Sequence, residues 1–144
     1  MITQIYEIQT PDEVDPVCAV GVDHIGSVIL SEEEWQQPII RETVRAVHDA
    51  GKKSSLIPLF SDPATVFHAL DYYRPDIVHF CEMLSLESRG MDLCRRLIAL
   101  QQEIRTRYPN IAIMRSMPIS RPDEDGGVPT LLLADLFQPV SDFF

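Results

Sequence analysis

The sequence predicts an α/β fold built on a parallel sheet, and three observations carry that prediction. Short β-branched runs alternate with longer amphipathic stretches along the chain. The connections between the two kinds of segment are short. Glycine and proline fall where helices should begin and end. Regular β/α alternation of this kind places successive strands parallel, joined by right-handed crossovers.

The strand-like runs are residues 2–8, 22–30, 54–60, 76–80 and 111–119. A short helix, acidic at its start, is predicted over 11–19, closed by Val20-Gly21. Residues 38–50 place Ile39, Ile40, Val44 and Val47 on one stripe, closed by Ala50-Gly51. Asp62-Pro63 reads as an N-cap with proline at the first helical position. The helix it opens runs to Tyr73, with Val66, Ala69, Leu70 and Tyr73 together. The longest helical pattern, 85–108, aligns Leu93, Leu97, Leu100 and Ile104. A Pro/Gly-rich loop follows at 118–127, then an apolar stretch at 128–140 with helical character. Val140-Ser141-Asp142-Phe143-Phe144 reads as a turn and the start of a sixth strand, cut short, so a fragment of a longer chain is expected.

Composition narrows the class. The chain has 144 residues, is 45% hydrophobic and 24% charged, and carries a net charge of −10. That suits one soluble globular domain spanning 1–144. A complete eight-fold β/α barrel would need at least ~200 residues. Twelve Lys and Arg against 22 acids argue against nucleic acid and against an anionic membrane surface. No apolar run reaches the ~20 residues of a membrane span, and the N-terminus lacks a signal-peptide pattern. Cys18, Cys81 and Cys94 form neither a Cys-x-x-Cys pair nor a disulfide framework, so a reduced, cytoplasmic setting is the default. No His/Cys/Asp cluster has metal-ligand spacing, and neither a metal nor a cofactor is expected.

Gln4-Ile5-Tyr6-Glu7-Ile8-Gln9 and Gly21-Val22-Asp23-His24-Ile25-Gly26 resemble the first and second strands of phosphoribosylanthranilate isomerase, a β/α-barrel family of tryptophan biosynthesis. That family opens with Lys-Ile-Cys-Gly-Ile-Thr, an acidic pair, and Gly-Ala-Asp-x-(Ile/Val)-Gly-Phe. Asp12-Glu13 supplies the acidic pair here. Ser54 to Phe60, Asp76 to Glu82 and Ile111 to Ser116 resemble its third, fourth and fifth strands. The resemblance implies a (β/α)8 barrel of TIM type, incomplete: about five β/α units of eight plus the start of a sixth strand.

The family's reaction is an Amadori rearrangement, an aldose–ketose isomerisation of a phosphorylated aminosugar that needs a base and an acid. The base is a cysteine at the end of the first strand, where this chain has Tyr6, and the glycine after it is Glu7. The acid, an aspartate ending the sixth strand, would lie just beyond Phe144. A substrate-holding arginine in the second loop aligns with Glu33-Glu34-Trp35-Gln36. The phosphate-binding loops after the seventh and eighth strands have no counterpart. No catalytic residue carries over from the family.

Chemistry in such barrels sits at the C-terminal ends of strands. The residues predicted there include Glu7, Gln9, Ser31, Ser61, Asp62, Cys81, Glu82, Arg115 and Ser116. Glu7 is a candidate base and Cys81 a candidate thiol. Against this, Glu7 could be a paired rim carboxylate and Cys81 a small apolar filler. Arg115, with Ser116 and Glu82, is a candidate for substrate binding, since a guanidinium suits phosphate or carboxylate; otherwise Arg115 pairs with Glu82 or Glu7. His24 and His79 read as packing residues within strands. Glu32-Glu33-Glu34 reads as a solvated loop, and Trp35 as a ligand lid or a staple to the following helix.

Three functions follow. The leading one is an isomerase-like enzyme that binds a small phosphorylated sugar-type ligand. The second is a catalytically divergent barrel that binds a small molecule or partner without isomerase activity. The third is an open flavodoxin-like α/β domain. Open barrel edges with apolar positions such as Ile5 and Ile113 would favour self-association.

Overall fold

The computed structural model describes residues 1–119 and 129–144. Most of the loop expected at 118–127 lies outside the described residues. Five strands form one sheet in the order β1-β2-β3-β4-β5. They are β1 (Gln4–Ile5), β2 (His24–Ile29), β3 (Lys53–Pro58), β4 (Ile77–Phe80) and β5 (Ala112–Arg115). β1 with β2, β2 with β3 and β3 with β4 pair in parallel. The helices alternate with them: α1 (Val14–Ala19), α2 (Pro38–Asp49), α3 (Pro63–Tyr73), α4 (Ser88–Arg107) and α5 (Thr130–Phe137).

Strand order decides between the architectures. A flavodoxin-like sheet runs 2-1-3-4-5, because its connections reverse direction after the first unit. Here strand order equals chain order, and no reversal exists. Crossovers of one hand that never reverse put all helices on one face, as in a β/α barrel. The fold is therefore of β/α-barrel type, with five consecutive units. Phe143 forms a parallel bridge with Met114 of β5, which is the start of a sixth strand in the expected place.

The chain divides into two compact units, Met1–His79 and Phe80–Phe144. In the first, α1 and β2 enclose a core of Ile8, Val14, Val22, Ile25 and Val47, against which Ile5 packs. The stripe on α2 differs from expectation at one position. Ile40, Thr43, Val44 and Val47 are buried, whereas Ile39 is exposed. Ile39 sits 100° round the helix from Ile40, and Thr43 takes its place by donating its hydroxyl back to the Ile39 carbonyl at 2.8 Å. The N-cap at Asp62 forms as the sequence predicts, accepting from the Thr65 N–H at 2.9 Å. Gly21 and Gly51 close their helices at φ 84° and 70°.

In the second unit, Leu84, Cys94, Leu97, Leu133, Phe137 and Val140 form the core between α4 and α5. Ile113 is not an exposed edge position; it is fully buried. The N–H groups of Asp142 and Phe143 donate to its carbonyl at 2.7 and 3.2 Å, and the Asp142 carboxylate accepts its N–H at 2.8 Å. The returning chain thus pairs this side of β5. Ile5 lies on β1, at the edge of the sheet, and is half-buried.

Candidate functional site

The C-terminal end of β1 departs from regular geometry. The register pairs Gln4 with His24 and Ile5 with Ile25. An unbroken parallel ladder would next send the Glu7 N–H to the Gly26 carbonyl. The Ile8 N–H goes there instead, at 3.0 Å. One residue is therefore extra, a bulge, and Glu7 adopts the left-handed conformation at φ 61°. The chain is then pinned back onto β2. Ser27 Oγ donates to the Ile8 carbonyl at 2.7 Å. The Gln9 amide pairs with both backbone groups of Val28, at 2.9 Å each. These anchors hold a conformation that costs a non-glycine residue roughly 1–2 kcal/mol.

Arg74 is the other described non-glycine residue at positive φ, 51°, and it has a local reason. It closes α3, with its N–H on the Leu70 carbonyl, just before Pro75. Glu7 closes no helix. Its side chain is exposed, and Tyr6 beside it is half exposed, its ring 5.6 Å from that of His79.

Behind this bulge lies a polar layer. Strand alternation puts His24, Gly26 and Val28 on one face of β2 and Ile25 and Ile29 under the helices. On the first face, Gln4 Nε2 donates to Ser55 Oγ at 3.3 Å and lies 3.5 Å from His79 Nδ1. Gln4 Oε1 accepts from His24 Nδ1 at 3.3 Å. β1 and β4 are three strands apart, about 14 Å on a flat sheet. Contact between Gln4 and His79 requires a sheet curled towards this face, which makes it the concave one. Gly26 leaves room for the bridge: a Cβ there would meet Ile57 Cδ1 at 3.1 Å, the Ile5 carbonyl at 3.2 Å and Gln4 Nε2 at 3.5 Å. Burial pushes the His24 imidazole below its ordinary pKa, although Asp23 and Asp76 pull the other way.

A second cluster in the same unit looks like a hydrolase triad and is not one. His48 Nε2 lies 2.8 Å from Ser54 Oγ and 3.0 Å from Asp76 Oδ2. A relay needs the serine and the carboxylate on opposite ring nitrogens. Here both meet Nε2. Asp76 also accepts from the Ser54 N–H at 2.9 Å and pairs with Lys53 at 2.7 Å. Burial works to raise its carboxyl, but Lys53 and the Ser54 donors hold it below the usual range. These residues begin β3 and precede β4, at the end of a β/α unit that carries stability rather than chemistry.

Other predicted positions of the first unit have structural partners. Glu13 accepts from the Gln9 and Thr10 N–H groups at 2.9 and 2.8 Å, which hold its carboxyl below the usual range. Trp35 is stapled not to α2 but to α3: its ring lies 5.7 Å from His68 and 5.8 Å from Tyr72, and its carbonyl accepts from the Tyr73 hydroxyl at 2.7 Å. Asp62 is the cap already described.

In the second unit, Arg115 is fully buried. Its Nε and Nη2 donate to Gln101 Oε1 at 3.0 and 2.7 Å, and Nη1 pairs with Glu82. The guanidinium stacks 5.0 Å from each of the Phe80 and Phe137 ring centres. Burial pulls it below its ordinary pKa, and Glu82 opposes that. Of the two pairings foreseen for Arg115, the one with Glu82 forms. The second Glu82 oxygen, Oε1, is buried with no hydrogen-bond partner among the described residues. Ser116 Oγ donates to the Sγ of Cys81, which is exposed, at 3.5 Å. Cys94 is buried and Cys18 half-buried. A cavity of about 340 Å³ lies at the start of β5, lined by Tyr108, Pro109, Ile111, Ala112 and the Arg105–Asp142 ion pair. Among the described residues there is no group of three or more His, Cys, Asp or Glu that could hold a metal ion, and no helix is long and apolar enough to cross a membrane.

Gln4, His79 and Gly26 were missed as a set by sequence reasoning. The signal was present as polar residues at inward positions of strands, where branched apolar residues usually fill a barrel.

No family model matches the chain, and no curated protein matches it. Among solved structures it is similar to a fungal endo-β-N-acetylglucosaminidase of glycosyl hydrolase family 18, with TM-score 0.68 and 9% sequence identity. The match covers 99% of this chain and 65% of that one. At that identity the likeness extends to the fold alone.

Proposed function

We propose that this chain is a catalytically divergent β/α-barrel domain that binds a small sugar-type molecule at the end of β1 and does not perform the Amadori isomerisation. The bulge at Glu7 carries this reading. Bulges gather next to binding sites, where they re-aim side chains. Strain without a local structural reason has the same habit. Tyr6 stands where the resembling family has its thiol base, and a phenol does not replace a thiolate. Arg115 is committed to Glu82 and Gln101, which argues against a role in holding a substrate phosphate. Hydroxyl recognition by Glu7, Tyr6 and the polar layer fits the described side chains better.

The test offers phosphoribosylanthranilate to the protein and follows its consumption, beside calorimetric titrations with ribose and ribose 5-phosphate. The expected result is no consumption, comparable binding of both sugars, and about ten-fold weaker binding for Glu7→Gln. Consumption abolished by Glu7→Gln would replace this reading with the isomerase one. No binding of either sugar would overturn it.

A further inference from the structure

A chain of buried hydrogen bonds in the second unit ends on one oxygen that has no donor. It starts at Gln101, which is fully buried on α4. Gln101 Nε2 donates to the Val140 carbonyl at 3.0 Å and to Ser141 Oγ at 2.9 Å. A carbonyl can only accept, so this contact fixes which end of the amide is nitrogen. Gln101 Oε1 then accepts from Arg115 Nε and Nη2, at 3.0 and 2.7 Å. That side of a guanidinium is one that can grip both oxygens of a carboxylate. With Gln101 holding it, Glu82 is met by Nη1 alone, through Oε2. Glu82 Oε1 is left buried, with no hydrogen-bond partner among the described residues. An unmet buried acceptor is costly, and each one in a folded protein calls for a reason.

We propose that Glu82 Oε1 is the acceptor of a ligand site at the end of β4, that the group it takes is a neutral hydroxyl donor, and that Gln101 is the positioning residue that keeps this oxygen available. Three features support the proposal together. Glu82 follows β4 and Arg115 ends β5, so the pair lies at strand C-termini, where such barrels do their chemistry. The Glu82 side chain is 18% exposed and its neighbours Cys81 and Met83 are exposed, so a ligand has a surface to approach from. Arg115 already balances the Glu82 charge, and the Phe80 and Phe137 rings flank the guanidinium. A cation here would add an unbalanced charge to an apolar surround; a hydroxyl would not. The proposal is independent of the sugar reading at the β1 end.

The test is ¹³C NMR of the glutamate side-chain carboxyls during titration with erythritol, a neutral polyol, and separately with methylammonium. The Glu82 signal should move saturably with erythritol and not with methylammonium. Gln101→Met frees one side of the guanidinium to grip both Glu82 oxygens. In that variant the Glu82 signal should be displaced before any ligand is added, and erythritol should bind at least ten-fold more weakly. Ser141→Ala removes one Gln101 partner but leaves the Val140 carbonyl, and should bind as the unsubstituted protein does. The double variant Glu82→Met with Arg115→Met removes both charges together and should lose the erythritol response while its amide spectrum remains folded; it serves the same purpose if Gln101→Met does not fold. A Glu82 signal indifferent to erythritol would overturn the proposal, as would a response to methylammonium instead. Undiminished binding in Gln101→Met or in the double variant would also overturn it.

Discussion

Two polar networks in the first unit use adjacent residues of β3 and do opposite things. Ser54 faces the strand starts and joins His48, Lys53 and Asp76 around a charged carboxylate. Ser55 faces the concave side and accepts from Gln4, which also reaches His24 and His79. One residue of strand alternation separates a structural clamp from a candidate recognition surface. The difference lies in charge and redundancy. Asp76 has several donors and anchors the start of β4 to β3, whereas Gln4 spreads two weak donations and one acceptance across three strands. A network built for stability concentrates its bonds on one ion; the Gln4 layer spreads its bonds over several side chains.

The largest break in this comparison should come from Asp76→Ala. It strands the Ser54 N–H and removes the Lys53 and His48 partners, and should cost about 3 kcal/mol, read as a lower urea midpoint. Gln4→Met should cost only about 1 kcal/mol by the same measurement, because its bonds are long, at 3.3 and 3.5 Å, and only part-buried. Equal costs would erase the distinction between the two networks.

Glu7→Gly should act in the reverse direction. Glycine takes φ 61° without strain, so stability should rise by about 1 kcal/mol while ribose binding falls. A loss of stability would mean the Glu7 side chain is structural and would weaken the case for the bulge as a site.

The smallest effect is the pH dependence. Both His24 and Asp76 have depressed folded values, so each contributes stability above its unfolded pKa that is lost as pH falls. For His24 the decline should begin below about pH 6.5, and for Asp76 below about pH 4. His24→Gln should flatten the upper part of the curve and leave the lower part; Asp76→Asn should do the converse. Urea midpoints measured between pH 7 and pH 3 read both.

The elements were legible in the sequence because their signals are local. Asp62-Pro63, Ala50-Gly51 and the α3 stripe each state a cap, a stop or a face. Strand order was legible only through the resemblance, and the structure supplies it independently. What the sequence hides is whatever depends on register. The bulge at Glu7 needs the β1–β2 hydrogen bonds to be seen. Arg115 follows the β5 apolar pattern to the strand's end, and nothing local says that its guanidinium turns to Gln101, Glu82 and two phenyl rings. His79 reads as packing until Gln4, 75 residues away, is placed beside it.

The most direct test of the central claim is amide chemical-shift mapping of the full chain during titration with ribose. The account predicts saturable shifts centred on Tyr6, Glu7, Ile8 and Gln9, with Gly26 and His79 following and the Ser54–Asp76 cluster silent. Shifts centred on Ser54 and Asp76, or no saturable shifts at all, would contradict it.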